Sequence, residues 1–252
     1  MAAEGKTMDA LSQFELKPVL GILGDSIGFT QSNAHMLLVV GLITGLMMWG
    51  TRHRAVVPGR LQAMAEMSYE FIYGLVKGQV GQEGRRFFPF VFSLFMFILF
   101  GNLLGLFPYA FTFTSHIVVT FALAAIVFVV ITAVALLIHG KHFFSYFFPE
   151  GAPKALAPLI IPIEVISYLS RPVSLAVRLF ANMVAGHVML KVFATFVVLI
   201  GGSAGALGLL GATLPLAVNV ALVGFEILVA FLQAYVFAIL TSIYLHDAVH
   251  LH

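Results

Sequence analysis

The 252-residue sequence contains no cysteine, which excludes disulfide scaffolds, thiol catalysis, iron–sulfur clusters and cysteine-bound zinc. Only 10% of its residues are charged, well below the roughly 25% typical of soluble domains. Hydrophobic residues make up 61%, which excludes an intrinsically disordered chain. A net charge of +2 offers no basic surface of the kind that nucleic acid requires. These absences leave a polytopic membrane protein whose few buried charges carry the functional information.

Three apolar runs approach or exceed the length of a membrane-spanning helix, which needs about 20 apolar residues. They cover residues 33–50, 87–109 and 117–138 and predict three spans. Residues 1–32 mix charges with short apolar runs, so we predict an outside or interfacial segment without a cleavable signal. Residues 58–86 place apolar side chains at helical spacing and charges largely elsewhere, which predicts an amphipathic helix in the membrane interface.

Two longer apolar stretches follow, at residues 155–200 and 207–245. One helix over the first stretch would be roughly 69 Å long, more than twice the hydrocarbon thickness of about 30 Å. It must therefore break near Pro172 or lie steeply tilted. The glycine-rich residues 201–211 predict a turn between the two stretches. The expected fold is an all-α, polytopic, single membrane domain with about five membrane helices and one interfacial helix. The last two membrane helices form a long hairpin.

Basic residues concentrate on one side of this predicted topology. The two loops on the opposite side, residues 108–116 and 201–211, contain no lysine or arginine. The positive-inside rule therefore places the N-terminus outside and the C-terminus in the cytoplasm. The basic residues that decide the orientation are Arg52, Arg54, Arg60, Lys77, Arg85, Arg86, Lys141 and Lys154.

Arg178 is the charge that the membrane tolerates least. An arginine or lysine near a helix centre costs roughly 2.5–3.5 kcal/mol to insert. For Arg171 and Lys191, snorkelling to the interface or structural pairing competes evenly with a functional role. Arg178 has apolar-rich sequence on both sides and cannot snorkel easily. We therefore interpret it as a functional residue.

Helical spacing sorts the polar residues around Arg178. Ser174 and Asn182 are each four residues from Arg178 and share its face. Glu164 lies fourteen residues before Arg178 and falls near the same stripe. His187 follows after nine residues, a rotation of about 180° that puts it on the opposite face.

In the last stretch, Glu226 and Gln233 are seven residues apart and share a face. Glu226 and His187 form a candidate proton relay, because buried carboxyl and imidazole groups exchange protons near neutral pH. A static buried ion pair is the alternative. Arginine keeps its proton in proteins, so Arg178 requires a carboxylate that another chain can supply. The sequence thus points to a complex.

Two other functions compete with this interpretation. A proton-coupled secondary transporter would use His187 and Glu226 as coupling groups, although no internal repeat supports it. An intramembrane serine protease would use Ser203, which lies in a G-x-S-x-G string at residues 201–205. A flexible turn explains that string better. Four C-terminal residues could together bind a metal, but a solvated tail explains them better. They are His246, Asp247, His250 and His252.

Three stretches carry a resemblance to a known family. Residues 171–187 read RPVSLAVRLFANMVAGH, residues 101–109 read GNLLGLFPY, and residues 232–237 read LQAYVF, followed by Tyr244 and Leu245. The first closely resembles the signature of subunit a of the F-type ATP synthases, and the other two resemble its second-span and last-helix motifs. The resemblance covers most of the chain after about residue 30.

The resemblance implies a stator subunit in which two long tilted helices lie against a rotating ring. Arg178 would separate two aqueous half-channels and face a ring carboxylate, with Asn182, Gln233 and Ser174 nearby. His187 and Glu226 would line the outer half-channel and Glu164 the cytoplasmic one. Asn102 belongs to the second-span motif and would also serve proton translocation.

The resemblance also implies the surroundings of the chain. The expected partners are the c-ring, the b-type subunits of the peripheral stalk and, indirectly, the soluble ATPase sector. The chain is also expected to interact with protons and with the lipid bilayer, but not with nucleic acid. The implied location is the bacterial inner membrane, with several passes. We expect no cofactor, no metal site and no catalytic site in this chain.

Overall fold

The computed structural model describes residues 30–52, 55–107, 110–140, 143, 147, 156–203 and 205–250. Residues 1–29, which form most of the predicted N-terminal segment, lie outside the described residues, as does His252. The described chain is helical, which confirms the predicted all-α class. Its helices are α1 (Gln31–Arg52), α2 (Arg60–Val80), α3 (Phe88–Gly105), α4 (Ile117–His139), α5 (Ala157–Ser203) and α6 (Gly205–Val249).

Five of the described helices are long and apolar enough to cross a membrane, namely all except α2. Short 3₁₀ helices continue α2 over Gly81–Arg86 and precede α4 at Phe113–Ser115. The length and composition of these five helices agree with the predicted polytopic membrane protein.

The structure resolves the choice between a broken and a tilted α5. The helix runs without interruption from Ala157 to Ser203 and contains Pro162 and Pro172. Membrane helices tolerate such prolines because neighbouring turns and side chains satisfy the freed carbonyl groups. At 47 residues, α5 is about 70 Å long, so it must lie strongly inclined if its apolar length is to stay in the hydrocarbon.

The turn between the long helices is shorter than the sequence predicted. Residues 201–203 still belong to α5, and α6 begins at Gly205. Gly205 adopts a positive φ of 56°, a backbone conformation that glycine accepts without strain. The broad turn predicted over residues 201–211 is therefore wrong, because helical hydrogen bonding continues through most of this glycine-rich stretch.

The core lies where α3 packs against α6 and α2, and residues of α4 and α5 belong to the same buried cluster. Met96 and Ile98 of α3, Leu179 of α5 and Phe237 of α6 are almost fully buried there. α5 and α6 share the most extensive helix–helix contact of the described chain. Their other faces leave many large apolar side chains exposed, as expected of surfaces that meet lipid or another subunit.

One face of α2 packs on the bundle through Ala65, Ile72, Val76 and Val80. These residues recur at helical spacing, as an amphipathic helix requires. The charged residues of α2 all remain exposed: Arg60, Glu66, Glu70 and Lys77. Its position in the membrane interface stays a prediction.

Candidate functional site

A buried pair of titratable groups, His187 of α5 and Glu226 of α6, lies between the two long helices. The imidazole Nδ1 lies 3.7 Å from the carboxylate Oε1. The side chains are 13% and 3% exposed, respectively. Neither oxygen of Glu226 has a hydrogen-bond partner among the described residues. An unbonded buried carboxyl group is costly to keep, which favours a functional reason for its presence.

Gly186 allows this approach. A Cβ atom at Gly186 would lie only 2.6 Å from the Glu226 Oε1 atom. Real Cβ atoms do not come that close to other heavy atoms, so any side chain at this position would displace the carboxyl group. The glycine therefore makes room for Glu226 against the backbone of α5.

The segment between α3 and α4, which we call the α3–α4 loop (residues 106–116, of which 108 and 109 lie outside the described residues), reaches the same place. Its Thr112 is buried, and the hydroxyl Oγ1 lies 2.8 Å from the His187 Nε2 atom. The same hydroxyl donates a 3.2 Å hydrogen bond to the carbonyl oxygen of Gly105. Thr112 thereby connects His187 to α3. The sequence analysis missed this threonine.

Asn102 forms the neighbouring link between the α3–α4 loop and α6. The Thr114 hydroxyl donates a 2.8 Å hydrogen bond to the Asn102 Oδ1 atom, and both side chains are fully buried. The Asn102 Nδ2 atom donates to the carbonyl oxygen of Ala230 at 3.4 Å. We call Asn102, Thr112, Thr114, His187 and Glu226 the buried polar cluster.

Two glycines of α3 let the α3–α4 loop approach. A Cβ at Gly101 would meet the Phe113 ring at 2.4 Å, and a Cβ at Gly105 would meet the Thr112 hydroxyl at 2.3 Å. From α1, the His35 Nε2 atom accepts a 3.1 Å hydrogen bond from the Phe111 amide. The loop is therefore packed into the bundle and does not merely connect two spans.

Asn182, Glu226 and Gln233 line one cavity between α5 and α6, with a volume of about 410 Å³. Gln233 is buried and Asn182 is half-buried. The helical spacing of Glu226 and Gln233 indicated that they share a face, and both side chains reach this cavity. The cavity is large enough for several water molecules beside the polar side chains.

Arg178 lies outside that cavity, near the midpoint of α5, with an exposed side chain. No carboxylate of the described residues forms an ion pair with it. His187 lies nine residues further along α5, or about 14 Å along the helix axis. Arg178 thus presents its guanidinium on the outer surface of the hairpin while His187 points into the bundle.

Arg171 has a partner that the sequence analysis assigned to a solvated tail. Its Nη1 atom lies 3.3 Å from Asp247 Oδ2, and its guanidinium lies 4.8 Å from the Tyr244 ring centroid. α6 extends to Val249, where Ala248 and Val249 are buried. The prediction of a solvated tail is therefore wrong for Asp247. Since α5 and α6 run antiparallel, a residue early in α5 meets one late in α6, which is the signal that could have found this pair.

The structure does not bring Ser174 or Glu164 into the buried polar cluster. Ser174 is exposed, one helical turn before Arg178, and Glu164 is half-buried near the start of α5. Ser203 ends the same helix that carries His187, sixteen residues away. That spacing corresponds to about 24 Å, so Ser203 and His187 of one chain are too far apart to form the catalytic pair that a serine protease needs.

The buried polar cluster and Arg178 both fall within residues 34–246, which match the family model described as ATP synthase A chain. This chain belongs to the ATP synthase A chain family. Its relatives in that family match over nearly the whole chain. It is 66% identical to ATP synthase subunit a of Granulibacter bethesdensis over 252 residues, which cover all of both chains.

Two further relatives are called ATP synthase subunit a. The protein of Acidiphilium cryptum is 55% identical over 99% of this chain and 100% of its own length. That of Gluconacetobacter diazotrophicus is 57% identical over 98% of this chain and 99% of its own length. Neither the transporter nor the protease receives support from membership of the ATP synthase A chain family.

Proposed function

We propose that this chain is the stationary proton-conducting subunit in the membrane sector of a rotary ATP synthase. The observation that carries the proposal is Arg178, an exposed guanidinium at the middle of a long apolar helix without a carboxylate partner among the described residues. Such a charge costs roughly 2.5–3.5 kcal/mol in a bilayer, so a partner must compensate for it.

A carboxylate on a rotating ring of small subunits supplies that partner. The guanidinium keeps the facing carboxylate ionised, because an opposite charge nearby favours the charged form. A carboxylate that rotates away into lipid must first take up a proton, because an ionised group in the hydrocarbon has a large unfavourable free energy. Each ring carboxylate therefore releases a proton as it approaches Arg178. It binds a new proton after it has passed Arg178 and before it returns to lipid.

The groups on the two sides of Arg178 define two separate proton paths. His187 and Glu226 lie towards the α5–α6 turn, next to the cavity shared with Asn182 and Gln233. Glu164 lies fourteen residues before Arg178 on the same helix, or about 21 Å away along its axis. The first path opens to the outside and the second to the cytoplasm.

Ser174 and Asn182 flank Arg178 and hold water or the ring carboxylate by hydrogen bonds. Gln233 does the same from α6. Asn102 supports the outer path by tying the α3–α4 loop to α6. A proton crossing both paths releases about 2.3 kcal/mol per 100 mV of membrane potential.

The orientation follows from the positive-inside rule, which puts the N-terminus outside the bacterial inner membrane and the C-terminus in the cytoplasm. The α3–α4 loop and the α5–α6 turn then face the outside. The ring packs against the exposed apolar faces of α5 and α6. The b-type subunits of the peripheral stalk hold the chain against rotation, and the soluble sector carries the phosphoryl chemistry.

Reconstitution tests this function. The whole complex is placed in liposomes and ATP-driven proton uptake is followed with a pH-sensitive dye, beside liposomes that contain the isolated chain. We expect uptake with the complex only. Glu226→Gln, which keeps the shape but removes the ionisable group, should abolish uptake. Glu66→Gln, at an exposed glutamate of α2, should pump at the parent rate.

The opposite pattern would select the alternative function. An isolated chain that couples proton flux to the uptake of a solute would be a secondary transporter. If the complex with Glu226→Gln pumps at the parent rate, Glu226 is not part of the proton path.

A further inference from the structure

We propose that Thr112 is a positioning residue that fixes the tautomer of His187 and aims its Nδ1 lone pair at Glu226. The inference rests on the proposed role of His187 and Glu226 in proton translocation. It concerns a residue of the α3–α4 loop that lies 75 positions before the histidine and is in contact with it.

The hydrogen bonds around Thr112 determine where the protons are. A threonine hydroxyl has one proton to donate and two lone pairs to accept with. That proton is directed to the Gly105 carbonyl oxygen at 3.2 Å, because a carbonyl can only accept. The 2.8 Å contact with His187 Nε2 must then be a bond in which the imidazole donates. Nε2 therefore carries the proton of the neutral ring.

The tautomer decides which nitrogen faces Glu226. A neutral imidazole protonated at Nε2 has its lone pair at Nδ1, and Nδ1 is the atom that lies 3.7 Å from Glu226 Oε1. Glu226 delivers its proton to Nδ1 either after the two groups close to hydrogen-bond distance or through one bridging water; the O–H bond of Glu226 breaks and an N–H bond forms at Nδ1. The imidazolium then donates to Thr112 from Nε2 and to the carboxylate from Nδ1. The return step reverses both changes, and the bond to Thr112 persists throughout.

The α3–α4 loop holds Thr112 in this position from several sides. Thr112 is 6% exposed, and Gly105 leaves just enough room for its hydroxyl. Phe113 packs against Gly101, and Thr114 bonds to Asn102. A hydroxyl on a mobile loop would not select one tautomer, whereas a buried one held by α3 does.

The test uses three variants of the intact complex and a fourth, His187→Gln, that serves only to assign the NMR signals. Thr112→Val keeps the shape and removes the hydroxyl, and Thr112→Ser restores it. Thr120→Val is the matched control, because Thr120 is buried like Thr112, whereas the hydrogen bonds of its hydroxyl to described residues go to the carbonyl oxygens of residues 116 and 117. Histidine is labelled with ¹⁵N, the tautomer is determined by solid-state NMR, and the His187 signals are identified by their loss in His187→Gln. ATP-driven proton pumping is measured on the same preparations.

We expect an Nε2–H imidazole in the parent, in Thr112→Ser and in Thr120→Val. Thr112→Val should lose this single tautomer and pump at least about tenfold more slowly. The proposal is overturned if the parent shows an Nδ1–H tautomer, if Thr112→Val keeps the parent tautomer, or if it pumps at the parent rate. The NMR result does not depend on pumping, so a failure of the tautomer assignment is distinguishable from a failure of the proposed function.

Discussion

Gly186→Ala is expected to disable proton translocation without preventing assembly. The new Cβ would lie 2.6 Å from Glu226 Oε1 and 2.9 Å from Cδ. Ordinary van der Waals contact begins at 3.4 Å, so the oxygen must retreat by about 0.8 Å. The carboxyl group is the free end of a flexible side chain, and it will move before the helices do. Its position relative to His187 Nδ1 will therefore change.

The size of the effect follows from that displacement. A misplacement of about 1 Å in a reacting group can cost up to about 100-fold in rate. For Gly186→Ala we expect pumping to fall at least about tenfold, equivalent to about 1.4 kcal/mol in the barrier. Alanine is the better helix former by roughly 0.5–1 kcal/mol, so a weakened α5 cannot explain the loss.

The assay is ATP-driven acidification of inverted membrane vesicles, with the amount of assembled complex measured on the same membranes. Gly41→Ala on α1 is the matched control, because a Cβ at Gly41 meets nothing within 4 Å. The control should pump at the parent rate. Parent-rate pumping by Gly186→Ala would refute the claim that the position of the Glu226 carboxyl group limits proton transfer.

Three further predictions concern the helices and loop around the site. A double-mutant cycle of Arg171→Gln and Asp247→Asn should give a coupling energy of about 0.2–1 kcal/mol in thermal unfolding of the complex, because this ion pair is partly exposed; no measurable coupling would contradict it. Gly101→Ala should destabilise the fold by about 1–3 kcal/mol through its clash with Phe113, and the yield of assembled complex should fall. Adding Phe113→Leu in a double variant should restore part of that yield. Burial lowers the pKa of His116 below its ordinary 6.5, so the unfolded loop binds the proton first and the folded loop loses stability as pH falls below 6.5. Hydrogen exchange of residues 110–116, corrected for intrinsic rates, should therefore accelerate on acidification, and His116→Phe should weaken that dependence relative to the parent; the remainder includes loss of the Phe111 amide bond to His35.

The spans and the long helices could be predicted from the sequence because apolar length alone determines them. The pairing of His187 with Glu226 was also accessible, since few titratable groups occur in these helices. The continuity of α5 through Pro172 could not be predicted, because a proline in a membrane helix is compatible with both a continuous and a broken helix.

The role of the α3–α4 loop could not be predicted from local pattern. Thr112 and Thr114 alternate with Phe111 and Phe113, a strand-like pattern that does not identify the residues they contact. Their contacts depend on the tertiary approach of Phe113 to Gly101 and of Thr112 to Gly105. Asp247 was missed for a related reason: its partner Arg171 lies 76 residues away, and only the antiparallel packing of α5 on α6 brings them together.

ATP-driven acidification of inverted vesicles from Arg178→Ala tests the central claim most directly. Arg60→Ala, which removes an exposed arginine from α2, is the control, and assembly of the complex is measured on the same membranes. We predict that Arg178→Ala assembles and does not pump, because nothing then keeps the two proton paths apart, whereas Arg60→Ala pumps normally. An assembled Arg178→Ala complex that pumps at the parent rate would contradict the role of Arg178 as the separator.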